Sequence, residues 1–385
     1  MLSLALLTPN ALAARGIEQL AEESGLFRIV SKESTLSPAG VVLRALAVHD
    51  PEIVLFDLSD WEKTRELAEQ IRDAEFRSAL IGFTSSDSPA ERQAFIKAGI
   101  EDLLPDPFSP AEIEAAAYEA VHRKRPVTHG NILVFVPAKA GGGCSTVLLN
   151  TAAALTGILN QRTLLIEADR RSGVLSILLN LRPAKGLAEA LGHAAEMTGI
   201  EWHQYYKTAF GMQLLLADPA QRGSLPSWAD YYHLLRFVEK QYDFVFADMP
   251  EIVNQASAEL VRSARGVFVV CTPEVPSLKM ASYRCAELEA CEIPAQNLHI
   301  VLNRWESDRL SVSAVEGILG RSVFATVPND YARVTQAIMD SHLVASDSDF
   351  AESCRQLARK VSGLPEAPQP RSKFDLLKRL GRFSS

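Results

Sequence analysis

Short apolar runs alternate with stretches of helical periodicity along most of the chain. In the first 125 residues the runs are LSLALLT, FRIVSKES, IVLFDLS, SALIGFTSS and EDLLPDPF. Between and after them, apolar residues recur with helical spacing near Ala11–Ser24, Ala39–Ala47, Trp61–Ala74, Ala90–Ala98 and Pro110–Arg123. Five strand–helix units in succession predict a doubly wound α/β domain with a parallel sheet. A second series opens at NILVFVPAK (131–139). It continues through LLIEAD (164–169), MQLLLAD (212–218), DFVFADMP (243–250), GVFVVCTP (266–273), LHIVLNR (298–304) and SVFATVP (322–328). Helical stretches separate these runs, so parallel strands with crossover helices are expected again. The expected domains are 1–125 and 130–363. A Pro-rich linker and a basic tail follow at 364–385.

Composition narrows the class. The 385 residues are 47% hydrophobic and 22% charged, with mean hydropathy +0.03. Such a chain can bury large cores and is neither disordered nor fibrous in type. The net charge is −8. Residues 1–125 carry that whole excess of acid, and the remainder is balanced. No half is strongly basic, so nucleic acid is not the expected partner. Five cysteines form no CxxC pair and point to a reducing compartment. No apolar run approaches the roughly 18 residues of a spanning helix. The start MLSLALLTPNALAARG has no Lys or Arg before its short apolar stretch, so Leu2–Leu7 is read as a buried strand and not a leader. A cytoplasmic location is expected.

The most informative stretch is VPAKAGGGCSTVLLNTAAAL. A strand ends near Pro137, three glycines follow, and a helix opens near Cys144. Consecutive glycines let backbone N–H groups approach a polyphosphate and point at it. The helix N-terminus adds partial positive charge. Ser145 stands where a phosphate-loop hydroxyl would meet Mg²⁺. The usual loop ends G-K-[ST]; this one ends Gly143-Cys144-Ser145. Losing the lysine removes one charge-assisted contact, about 1.5–3 kcal/mol of phosphate binding. It also removes cation stabilisation of a transferring phosphoryl group. The backbone cradle survives, so binding can persist while catalysis weakens.

Lys139-Ala140-Gly141-Gly142-Gly143-Cys144-Ser145-Thr146 resembles the deviant Walker A loop, K-G-G-x-G-K-T-T, of the ParA/MinD ATPases. The resemblance implies a P-loop ATPase fold of that type and a homodimer with ATP and Mg²⁺ between the subunits, Lys139 reaching the partner's nucleotide. It further implies that Asp169, in LLIEADRRSG, positions the attacking water, with Glu167 where the first acid of a D-x-D segment is usually Asp. Asp248, in FVFADMP, would hold Mg²⁺ through water, together with Ser145. Asn303 and Arg304, in IVLNR, match the adenine-reading segment, and Pro328 is carried over as a further nucleotide contact. Residues 140–146 would cradle the phosphates. The segments SILLNLRPAKGLAEAL, CTPEVPSLKMA, VLNRWES and VEGILGRSVFATVPNDYARVTQAI are similar to the TadZ/CpaE branch, the pilus-assembly members of that superfamily. That branch implies a receiver-like first domain and a polar localisation or assembly role in Flp-type (tight adherence) pilus secretion, with the secretion ATPase and assembly proteins as partners. Ala140 for glycine and Cys144 for lysine imply slow or absent hydrolysis.

Against the receiver pattern, the first strand ends Leu7-Thr8-Pro9-Asn10 with no acid cluster for Mg²⁺. Asp57 matches the phosphoacceptor position and Thr84 the switch hydroxyl, but Asp106 stands where K-P-F has lysine. A pseudo-receiver serving dimerisation or docking is expected, with Asp57 unphosphorylated. In the tail, Phe374, Leu377 and Leu380 form an apolar stripe beside Lys373, Lys378, Arg379 and Arg382. Lys373–Phe383 is thus expected to contact a membrane surface or a partner, placing the protein at the inner face of the cytoplasmic membrane. Cys285 and Cys291 lack ligand spacing and read as packing. Two alternatives stand beside this reading: an active positioning ATPase like ParA or MinD, and a nucleotide-free scaffold with a relic loop.

Overall fold

Local chemistry places several of the helix ends. Asn10 accepts hydrogen bonds from the amides of Leu12 and Ala13 and so starts helix Ala11–Ser24, which Gly25 ends at φ +60°. Ser88, Ser227, Ser311 and Ser348 each cap a helix in the same way. The computed structural model describes residues 1–86, 88–124, 130–183, 185–218, 225–291, 293–307 and 310–364. The chain divides into two units, Met1–Thr128 and His129–Ser385.

The first unit holds strands β1 (Leu2–Leu7), β2 (Phe27–Glu33), β3 (Ile53–Asp57), β4 (Ala79–Thr84) and β5 (Asp102–Pro105). Its helices are α1 (Ala11–Ser24), α2 (Ala39–His49), α3 (Trp61–Asp73), α4 (Pro89–Lys97) and α5 (Pro110–Lys124). The sheet order is β2-β1-β3-β4-β5, every described pair parallel. This is one of the two common doubly wound orders. Ala5, Leu7, Val54, Phe56, Leu67 and Phe95 belong to its core.

The second unit holds β6 (Ile132–Pro137), β7 (Thr163–Glu167), β8 (Lys207–Ala209), β9 (Met212–Leu215), β10 (Phe244–Asp248), β11 (Gly266–Cys271), β12 (Leu298–Trp305) and β13 (Val323–Pro328). Its helices begin with α6 (Cys144–Leu159), α7 (Leu175–Leu178), α8 (Leu187–Gly192) and α9 (Trp228–Gln241). They continue with α10 (Ala258–Arg262), α11 (Val275–Ala290), α12 (Val312–Leu319), α13 (Tyr331–Met339) and α14 (Asp349–Ser362). The order is β13-β12-β11-β6-β10-β7-β9-β8. Strand residues alternate between two cores: Ile132, Val134 and Val136 of β6 enter one, Leu133 and Phe135 the other. Truncating Phe135, which stacks on Phe268, would cost about 3–5 kcal/mol.

One edge departs from the expected parallel pattern. β8 pairs antiparallel with β9 through a two-residue turn at Phe210 (φ +53°) and Gly211 (φ +76°). Both central residues have the left-handed conformation that matches strand twist in tight hairpins. Three mostly exposed or half-buried residues carry no readable period, and Phe-Gly is not a common hairpin signal. The tail segment Lys373–Phe383 lies outside the described residues, as does the Arg125–Thr128 connection. No helix among the described residues is long and apolar enough to cross a membrane.

Candidate functional site

The glycine loop leaves β6 at the centre of the second sheet, between β11 and β10. β6 is buried throughout, so its apolar run fixes where the loop emerges. Gly141 (φ +78°) and Gly143 (φ +84°) take backbone conformations that a side chain would strain. Gly143 is the N-cap of α6 and contributes no side chain; the first turn of α6 contains no acid. The amides of that turn have no intrahelical carbonyl and suit an anion.

Two residues of β12 grip the loop. The Asn303 amide donates from Nδ2 to the Gly142 carbonyl at 2.8 Å, and Arg304 donates from Nη2 to the Gly141 carbonyl at 3.0 Å. Arg304 itself has φ +53°. A Cβ on Gly143 would lie 2.4 Å from Asn303 Nδ2, so only glycine admits the clasp. Asn303 is 4% exposed, and its Oδ1 is buried with no hydrogen-bond partner. On the other side, Glu251 Oε2 accepts from the Ala140 amide at 2.8 Å. Lys139 is exposed, and its carbonyl accepts from the Gly142 amide at 3.2 Å. The Thr146 carbonyl accepts from Asn150 Nδ2 at 2.9 Å.

Three acids gather at the ends of β7 and β10. Asp248 pairs beside Glu167 across the parallel ladder. Asp248 is 3% exposed and accepts a hydrogen bond from Ser145; burial first, then the charges of Glu167 and Asp169, push its carboxyl up to about 7. Glu167 is fully buried, and its oxygens accept from the amides of Leu175 (2.6 Å) and Ala217 (3.0 Å). Burial outweighs those bonds and also raises it to about 7. Asp169 accepts from the amides of Arg171 (3.1 Å) and Ser172 (2.8 Å). A Cβ on Gly173 would meet the Asp169 carbonyl at 2.4 Å and Glu167 Oε1 at 2.7 Å. Glu167 and Gly173 thus shape the segment that carries Asp169.

Cys144 is buried against Phe135, Val147 and Leu148. Burial, and after it the charge of Asp248, holds its thiol well above the usual range. The side chain therefore belongs to the core, and any ligand contact at this position falls to its backbone amide. Pro328 closes β13 next to Trp305. Beyond Arg304 lies a groove of about 590 Å³ lined by Glu274, Val275, Arg304, Glu306, Asn329 and Tyr331. The loop, Ser145, Asp248, Asn303 and Arg304 thus meet at one place, with Glu167 and Asp169 beside Asp248. Sequence reasoning missed Glu251, which carries no motif and is identified only by its contact.

Asp57, at the end of β3, has a different setting. It is 3% exposed. Thr8 donates from Oγ1 to its Oδ2 at 2.6 Å, while the amide and hydroxyl of Ser59 donate to Oδ1 at 2.9 and 2.5 Å. Thr84 is buried and accepts from the Ser86 amide. The side chain of Asp106 is exposed.

No protein-family model matches the chain. The septum site-determining protein MinD of Thermotoga maritima is 22% identical over 244 residues, which is 61% of this chain and 89% of the relative. The crystal structure of a ParA family ATPase from Chlorobium tepidum superposes with a TM-score of 0.55 at 18% identity, covering 60% of this chain and 98% of that one. The MinC:MinD cell division complex of Aquifex aeolicus gives a TM-score of 0.53 at 20% identity, covering 63% and 98%. The two structures share the fold of the matched region. That region of the chain is homologous to the ATPases of the MinD/ParA superfamily.

Proposed function

We propose that the protein binds ATP with Mg²⁺ in its second unit, dimerises around the nucleotide, and hydrolyses it slowly or not at all. We assign it on this basis as a localisation or assembly factor of the TadZ/CpaE type for a Flp-type pilus. It would act on the cytoplasmic side, at the cell pole or inner membrane face, with the secretion ATPase and assembly proteins. The first unit would serve as a pseudo-receiver that docks or dimerises.

The observation that carries the nucleotide reading is the orphaned, buried Asn303 Oδ1 beside a glycine loop that its own Nδ2 holds open. A buried acceptor without a donor costs about 1–3 kcal/mol, which an exocyclic amine of a base would relieve. Gly141 and Gly143–Thr146 offer backbone donors for phosphates, the Gly142 amide being held by the Lys139 carbonyl. Ser145 and Asp248 supply the hydroxyl and carboxylate that suit a hard cation. Bound Mg²⁺ would neutralise the outer phosphates and draw the Asp248 carboxyl back to its charged form. Asp169 stands beside Asp248 as the acid able to orient a water. The buried Cys144 thiol leaves the loop without its second cation, which is why hydrolysis is expected to be slow. The pilus assignment rests on the sequence segments similar to TadZ/CpaE.

An active positioning ATPase is the second reading. The retained Asp169 and the homology to MinD favour it. Turnover that disappears in Asp169→Ala would establish it.

The test of the first reading is titration of the full chain with ATP and Mg²⁺, recording heat and mass together. Wild type should bind and shift from monomer to dimer. Lys139→Ala should bind without the shift, and Asp248→Ala should lose the Mg²⁺ dependence. No heat and no mass change at millimolar ATP would overturn the nucleotide reading and leave a scaffold with a relic loop. For the cellular role, deleting the protein should abolish surface pili and leave septa centred. Misplaced septa with intact pili would assign a MinD-type role instead.

A further inference from the structure

The loop after β10 meets the glycine loop at two points. Asp248 accepts from Ser145 at the helix end of the glycine loop. Glu251, three residues further on, accepts from the Ala140 amide at its strand end. Asn303 and Arg304 on β12 hold the same loop from the opposite side. In the sheet, β12, β11, β6 and β10 lie in that order. The loop emerges from β6 between the two sets of contacts. With a base toward the β12 groove, phosphates extend toward β10, and the outermost one meets Glu251. This step rests on the nucleotide reading above.

Backbone amides of a glycine loop are anion donors. At Ala140 that donor already holds a carboxylate of the chain. No described Lys or Arg pairs with Glu251, and with cysteine at 144, Lys139 is the loop's own cation. Glu251 and a terminal phosphate carry like charge and compete for the same amide. We infer that Glu251 is a specificity-determining residue of the phosphate site: its carboxylate occupies the Ala140 amide, a third phosphate must displace it, and it therefore weakens triphosphate binding more than diphosphate binding. A shorter nucleotide stops before reaching it.

The experiment is calorimetric titration of the full chain with ATP and with ADP, each with Mg²⁺. Wild type is compared with Glu251→Gln, which keeps shape and removes charge, and with Glu251→Ala, which removes both. Both variants should tighten ATP by about tenfold, the effect of removing one like charge at short range. ADP should change by about threefold or less. An unchanged ATP-to-ADP affinity ratio in both variants, with melting temperatures equal to wild type, would overturn the inference and leave the nucleotide reading intact. If wild type and both variants bind neither nucleotide, the nucleotide reading fails and this inference fails with it.

Discussion

Asp57 and Asp248 occupy equivalent positions in their own units. Each ends a buried parallel strand, and each is 3% exposed. They differ in what has been done with their oxygens. Both oxygens of Asp57 are taken by donors of the chain, from Thr8 and Ser59. Asp248 has the Ser145 hydroxyl and lies beside Glu167 and Asp169, and burial pushes its carboxyl up to about 7. A carboxylate saturated by its own chain is a structural group. A buried, crowded carboxylate beside an open backbone cradle retains capacity for a cation. Position at a strand end does not distinguish the two; donor count does.

The widest separation is expected from matched substitutions. Asp248→Asn should weaken Mg²⁺-dependent nucleotide binding by about 100-fold, and Asp57→Asn should leave it unchanged, as measured by titration. An equal loss in both would erase the distinction. Acetyl phosphate should add no mass to Asp57 in wild type.

Next in size is Gly143→Ala. The left-handed φ and the 2.4 Å approach to Asn303 Nδ2 should together cost about 2–3 kcal/mol in denaturant unfolding. Gly141→Ala keeps the strain and meets no neighbouring atom within 4 Å, so it should cost less.

The acids give a pH signature. The folded carboxyls of Asp248 and Glu167 lie near 7, above their unfolded values, so the folded state holds more protons between about pH 4 and 7. The stability that this protonation supplies is present in full at low pH and lost as pH rises through 7. The nucleotide-free protein should thus be more stable at pH 5.5 than at pH 8 from this source, as measured by denaturant unfolding at the two pH values. Asp248→Asn should flatten that slope.

The smallest effect sharpens the other half of the comparison. Thr8→Val removes one donor to Asp57 and should cost about 1 kcal/mol. It should leave nucleotide titration unaltered.

Much of the fold was legible in order. The apolar runs mark β1 through β7 and β9 through β13; those buried along their whole length, such as β3, β6 and β10, read as near-continuous hydrophobic runs. Helix α1 ends where Asn10 and Gly25 say it should. The β8–β9 hairpin was not legible, because three residues cannot show a period and the turn uses Phe210 rather than asparagine. The strand, glycine loop and helix around Gly141–Gly143 were legible because consecutive glycines between an apolar run and a helical stretch mark a turn that takes left-handed backbone. The sequence also placed cysteine at the lysine position and acids at the ends of two strands. Only the tertiary structure decided that the Cys144 thiol turns into the core, that Glu167 binds the amides of Leu175 and Ala217, and that Glu251 sits on Ala140. The Glu167 and Glu251 contacts join residues 8, 50 and 111 apart. Composition and spacing carry the local rules of a chain, whereas the partner of a buried polar group is fixed when separate strands are brought side by side.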